Sequence, residues 1–186
     1  ISDFWFSVNY LGKQIENFFG SGNDKNRSIE YIWEDSPQGT IGAVSKIKNF
    51  KHDHILITNS DILTNLDYEN FYLDFIEKEA DLSILSIPYT IEIPYAVLES
   101  SVDDIINGFK EKPNYTYKSN GGIYLIKKCH LDLIPKNTFF NATDLIEKLI
   151  DKNKKVISYS LSGYWLDIGK HEDYKKALKD VNNISF

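Results

Sequence analysis

Residues 55–58 read Ile-Leu-Ile-Thr, a short apolar run bounded by polar residues on one side and by Asn59-Ser60-Asp61, good turn chemistry, on the other. A run this short and this apolar is expected of a central parallel strand buried on both faces. The next stretch, 66–79, reads as an amphipathic helix with Asn65 or Asp67 as its N-cap, and 82–88 returns to a buried strand. Parallel strands need a crossover between them, and a helix of this length supplies one. The same order opens the chain: an aromatic strand at 4–9, then Leu11, Ile15, Phe18 and Phe19 at close to helical spacing, then a short strand at 29–33. Strand–helix–strand order argues for an α/β layered domain with a mostly parallel sheet.

The remaining pattern fits that class. A helix is expected over 40–49, with Gly39 marking its start. Shorter strands at 95–99, 105–110 and 122–126 suggest an antiparallel insertion in a mixed sheet. Helices are expected over 143–151 and 171–179, with 155–161 extended between them. No repeat, low-complexity segment or linker interrupts the 186 residues, so one domain, 1–186, is expected.

Composition narrows the function. Hydrophobic residues at 42% and charged residues at 26% describe a globular chain rather than a disordered one. A net charge of −6 argues against binding a nucleic-acid polymer, which calls for a basic face. No apolar run is long enough to span a bilayer, so no membrane role is expected. The lone cysteine, Cys129, fits a reducing cytoplasm; at the start of a short helix it reads as a buried thiol. Neither it nor the four histidines receives a role. The absence of methionine and the abrupt aromatic start suggest an N-terminally truncated chain.

Four short signatures carry the chemistry. They are Pro37-Gln38-Gly39-Thr40-Ile41-Gly42-Ala43, Ile57-Thr58-Asn59-Ser60-Asp61, Phe109-Lys110-Glu111-Lys112-Pro113 and Gly163-Tyr164-Trp165-Leu166-Asp167-Ile168-Gly169, with Asn120-Gly121-Gly122 between the last two. Asp61 follows a buried strand, at the end where open α/β sheets gather ligands, although an Asx turn explains it equally well. Asp167 sits among aromatic and aliphatic neighbours, where a carboxylate is costly unless paired, metal-bound or turned to solvent. Lys112 precedes a proline, which keeps helix out and holds the segment extended. Asn120-Gly121-Gly122 reads as a turn before a strand, and Gly39 offers bare backbone for close approach.

In this order the signatures resemble the sugar-phosphate nucleotidyltransferases, the mannose-1-phosphate guanylyltransferase and glucose-1-phosphate uridylyl- or thymidylyltransferase group. The resemblance implies a Rossmann-like (GT-A-like) fold and transfer of a nucleoside monophosphate from a nucleoside triphosphate to a sugar 1-phosphate, releasing pyrophosphate. It implies Mg2+ as cofactor, held by Asp61 and Asp167. It places Lys112 on the sugar phosphate, Glu111 on sugar hydroxyls, Asn120 and Gly121 at the sugar, and Gly39 and Thr40 at the base or sugar. Glu34 and Gln38 are lesser candidates for base contacts. The form of the first signature is nearest the guanylyl and uridylyl branches, with guanylyl slightly preferred.

Two departures stand out. Ser60 and Gly121 replace the commoner glycine and alanine. The family's first strand and glycine-rich Thr-Arg loop have no counterpart: Gly20-Ser21-Gly22 is not followed by arginine, and Arg27, the only arginine, lies in a polar loop. The 186 residues are therefore expected to be inactive alone. A non-catalytic sugar-phosphate-binding regulatory module and a GT-A-type glycosyltransferase are the competing readings. An unpaired sheet edge would also invite a homo-oligomer.

Overall fold

A computed structural model describes residues 1–185. The first elements are β1 (Asp3–Val8), α1 (Gly12–Phe19), β2 (Ser28–Trp33), β3 (His54–Thr58), β4 (Ile62–Thr64) and α2 (Tyr68–Glu77). Four strands follow: β5 (Leu82–Glu92), β6 (Val97–Ser100), β7 (Ile106–Lys110) and β8 (Asn114–Lys127). The chain closes with α3 (Ala142–Asp151), β9 (Val156–Ser160), β10 (Trp165–Asp167) and α4 (His171–Asp180). A four-stranded sheet takes the order β3-β8-β5-β9, and three two-stranded pairs accompany it: β1-β2 parallel, β10-β4 antiparallel and β6-β7 antiparallel. This is a mixed α/β architecture. The chain divides into two compact units, one of Ile1–Leu56, Glu79–Leu82 and Leu125–Val156, the other of Ile57–Lys78, Ser83–Tyr124 and the residues from 157 onward.

In the first unit, β1-α1-β2 is the expected crossover unit, in register from Asp3↔Ser28 to Val8↔Trp33. Phe6 anchors it, meeting Phe19 of α1 at 5.3 Å and Tyr31 of β2 at 5.9 Å, both edge to face. The helix expected over 40–49 is only a 3-10 turn, Gly42–Lys46. Its would-be first residues are committed elsewhere: Ile41 N and Gly42 N both donate to Phe140 O, and the Thr40 hydroxyl accepts from Ala142 N at 2.8 Å. α3 forms as expected, with Leu145 and Leu149, one turn apart, fully inside.

Asp81 ties this unit together. Its carboxylate meets His130 Nε2 at 2.9 Å and Lys127 Nζ at 3.0 Å, and accepts from Lys155 N at 2.9 Å. Burial pushes the carboxyl up, but the His130, Lys155 and Lys127 hydrogen bonds outweigh it and hold the group well below the usual carboxylate range. Beside it, Cys129 is exposed and His130 buried, the reverse of the buried thiol expected. The 3-10 turn Lys128–Leu133 spends its inward positions on His130 and Leu131.

In the second unit, Asp67 caps α2, its Oδ1 accepting from Asn70 N at 3.0 Å. Phe71 and Phe75 of that helix are fully buried. β6 and β7 form the expected antiparallel insertion, with Leu98 opposite Phe109. β3 lies at the end of its sheet's order rather than at the centre. An apolar run records burial of the two faces, not the number of ladder neighbours.

Candidate active site

Three of the signatures meet in the second unit, and backbone geometry brings them together. β4 and β10 pair over three positions, Trp165↔Thr64, Leu166↔Leu63 and Asp167↔Ile62. Just beyond the ladder, Ile168 N donates to Asp61 O at 2.7 Å, which sets Asp61 beside the 167–169 turn. Asp167 Oδ1 accepts from Gly169 N at 2.8 Å. A β-carbon added to Gly169 would lie 3.0 Å from Asp167 Oδ1 and 3.5 Å from Asp61 Oδ2, so the two carboxylates face one small volume that Gly169 leaves open.

Asp61 is half-buried and Asp167 exposed, so the solvent-facing alternative for Asp167 describes its side chain. Neither carboxylate has a lysine, arginine or histidine partner within 4.0 Å among the described residues. Two acidic groups aimed at one volume, with no protein cation between them, suit a hard divalent ion that keeps several waters. No group of three or more histidine, cysteine, aspartate or glutamate side chains that could hold a metal ion is found among the described residues, so this pair would supply two protein ligands and leave the others to water and phosphate.

The Asn-Gly-Gly signature lies inside β8, not in a turn before a strand. It interrupts the strand's regularity: Gly122 takes φ +73°, and a β-carbon there would be 2.8 Å from Ile62 Cδ1 and 2.9 Å from Asn59 Nδ2. Only glycine combines that backbone with that contact. Asn120 fixes the distortion, its Oδ1 accepting from Gly122 N at 2.9 Å and its Nδ2 donating to the Tyr124 hydroxyl at 2.8 Å. Gly121 O accepts from the Trp165 indole at 2.9 Å, and Asn59 N donates to Gly122 O at 2.9 Å. Asn59, Asn120–Gly122 and Trp165 thus form one hydrogen-bonded assembly next to the paired carboxylates. In the sequence, the only signal for the parts played by Asn59 and Trp165 is the neighbouring glycines, which announce that something presses close.

Glu111 and Lys112 occupy the bend between β7 and β8, both exposed and without a partner among the described residues. Lys112 is not extended: its φ is +41°, in the left-handed region. The following proline disfavours the right-handed helical region but does not by itself choose between the remaining basins. Ser60 is exposed, and its φ lies outside the left-handed region, so the position does not require the commoner glycine.

Gly39 and Thr40 belong to the first unit. Gly39 has φ +75°, and a β-carbon there would be 2.6 Å from Phe140 O. Thr40 N donates to Asn141 Oδ1 at 3.3 Å, so this signature locks onto the start of α3. Glu34 accepts from the Ser7 hydroxyl and, at 2.7 Å, from Gln38 N. Gln38 is buried with its side-chain oxygen unpartnered among the described residues.

The chain thus combines a mixed α/β fold with two carboxylates brought together after one strand and within another. Residues 6–184 match the nucleotidyl transferase family, and the chain belongs to it. It is 29% identical over 180 residues to a D-glycero-alpha-D-manno-heptose 1-phosphate guanylyltransferase of Aneurinibacillus thermoaerophilus, covering 95% of this chain and 77% of that protein. It is 26% identical over 161 residues to a glucose-1-phosphate adenylyltransferase of Clostridium perfringens, of which it spans 40%. In structure it resembles HddC from Yersinia pseudotuberculosis, with a TM-score of 0.70 and 25% identity over 97% of this chain and 79% of that one.

Proposed function

We propose that this chain carries the sugar 1-phosphate and cation side of a nucleotidyl-transfer site, in which the sugar phosphate oxygen attacks the α-phosphorus of a nucleoside triphosphate and pyrophosphate leaves. The observation that carries this reading is the shared volume over Gly169, within 3.5 Å of both Asp61 Oδ2 and Asp167 Oδ1. Asp61 and Asp167 would hold Mg2+, which when bound supplies neutralisation of charge on the reacting phosphates. The chain's own part is positioning. The β4–β10 pairing presents two carboxylates from different segments, and the exposed Asn120, braced by its bonds to Gly122 N and Tyr124 over the buried Gly121–Gly122 backbone, is the proposed sugar contact. The exposed, unpartnered Lys112 ammonium is the cation proposed for the sugar phosphate, with Glu111 beside it for hydroxyls.

GTP is the preferred nucleotide in this proposal, supported by the form of the Gly39-Thr40 signature and by the guanylyltransferase relative that spans most of its length. The unpaired, exposed Cys129 supports a cytoplasmic setting. No helix among the described residues is long and apolar enough to cross a membrane. No glycine-rich Thr-Arg loop occurs in the 186 residues, so the chain by itself is proposed to bind without turnover.

Mn2+ titration followed by electron paramagnetic resonance tests the site. Asp61→Asn and Asp167→Asn should each weaken binding tenfold or more, and an unchanged dissociation constant in either removes that residue from it. Pyrophosphate release by the chain above a buffer control, across a panel of nucleotides and sugar phosphates, would overturn the proposed inactivity. If turnover is seen, a base other than guanine giving the highest rate would overturn the GTP preference.

A further inference from the structure

The β4–β10 ladder is only three pairs long, yet the spacing of Asp61 and Asp167 depends on its register. A one-residue slip would turn Asp167 to the opposite face, and a two-residue slip would carry it about 6.8 Å along the strand. So short a ladder needs something at its far end to hold it. Residues 64 and 65 provide it. Asn65 Oδ1 accepts from Tyr164 N at 2.6 Å, Asn65 N donates to Tyr164 O at 3.3 Å, and the Thr64 hydroxyl donates to the same oxygen at 2.7 Å. Both backbone polar groups of Tyr164 are therefore held by two consecutive residues. Gly163 completes the fit: a β-carbon there would collide with Asn65 Oδ1, so this glycine is the space the asparagine occupies.

We propose that Asn65 is a positioning residue that sets the register of β10 on β4, and through it the separation of the Asp61 and Asp167 carboxylates. It touches no reacting group in this scheme; it acts on the site through Tyr164 and the ladder. The link to cation binding rests on the reading of the carboxylate pair given above, whereas the register claim stands on hydrogen bonds alone.

Amide hydrogen exchange on the 186-residue chain separates the two. Ile168 N, bonded to Asp61 O at the opposite end of the ladder, is the reporter, and Phe71 N, bonded to Asp67 O in α2, is the control. Asn65→Ala should speed exchange at Ile168 tenfold or more while leaving Phe71 unchanged. Asn65→Asp, which keeps the acceptor, should restore protection. Should Asn65→Ala fail to fold, Gly163→Ala, which drives a β-carbon into Asn65 Oδ1, must give the same acceleration. Unchanged protection at Ile168, or no rescue by aspartate, overturns the clamp. Mn2+ affinity should fall about tenfold in Asn65→Ala; faster exchange with unchanged affinity would overturn the positioning role. Absence of Mn2+ binding in the parent chain would remove the carboxylate-pair reading, with the exchange result still deciding the clamp.

Discussion

Replacing Gly169 by alanine should separate function from stability. The new β-carbon would stand 3.0 Å from Asp167 Oδ1 and 3.5 Å from Asp61 Oδ2. Asp61 and Asp167 would hold a hard divalent ion in that volume, so the methyl group and the ion would compete for one space, or one carboxylate would swing away. Disturbing the groups that aim metal ligands typically costs about 10- to 100-fold in affinity, equivalent to about 1.4–2.7 kcal/mol. The fold should not share that loss. Gly169 is not in the left-handed region, and the tight contact falls on the exposed carboxylate of Asp167, which can rotate aside. Removing a glycine's freedom from the unfolded chain stabilises by about 0.4–1 kcal/mol at a compatible position, raising Tm by about 1–4 °C. Metal-free thermal melts and Mn2+ titrations on the same samples measure both quantities. An alanine variant that binds Mn2+ as tightly as the parent would refute the shared-volume argument, and one that melts several degrees lower would show that Gly169 serves the fold instead.

Asp81→Asn should cost about 2 kcal/mol in urea unfolding, since it removes the charge from three hydrogen bonds. The Asp81 carboxyl is depressed in the folded state, so its contribution is present above the unfolded value of about 3.9 and fades as pH falls through the folded value; the variant should lose that part of the acid sensitivity below about pH 4. Tyr164 donates to Asp180 Oδ2 at 2.6 Å, and burial together with that carboxylate pushes its phenol up to about 12. Its stabilisation is full below pH 10 and lost as pH rises toward 12, so Tyr164→Phe should cost about 1 kcal/mol at neutral pH and flatten the alkaline limb of the stability curve. Gly39→Ala, forced to φ +75° against Phe140 O, should destabilise by about 2 kcal/mol or more in the same urea assay.

What the sequence disclosed, and what it hid, follows from the range of each signal. α2 and α3 were legible because their burial stripes and caps are written within a dozen residues. The carboxylate pair was legible through the resemblance, because both aspartates lie in recognisable strings. The helix expected over 40–49 failed because Thr40, Ile41 and Gly42 bond to Phe140 and Ala142, about a hundred residues away, and no local window contains that competitor. β8 begins eight residues before the expected 122, since residues 114–120 form a mostly exposed strand that apolar runs do not reveal. The sequence offers Asn65 or Asp67 as the cap of α2, since either residue before an amphipathic stretch is good capping chemistry. Asp67 performs that task, leaving Asn65 for Tyr164, and only the second strand's position exposes the difference.

The indole of Trp165 reaching Gly121 O has a consequence for how such proteins can change. It welds the string carrying the second aspartate to the string at the proposed sugar surface. A chimera that imports a relative's 118–124 segment alone would keep this bond only where the imported backbone sets its carbonyl at 121 in the same place, and would otherwise leave the half-buried indole without its protein acceptor. Altered sugar preference should therefore travel as a matched block, with both segments inherited together.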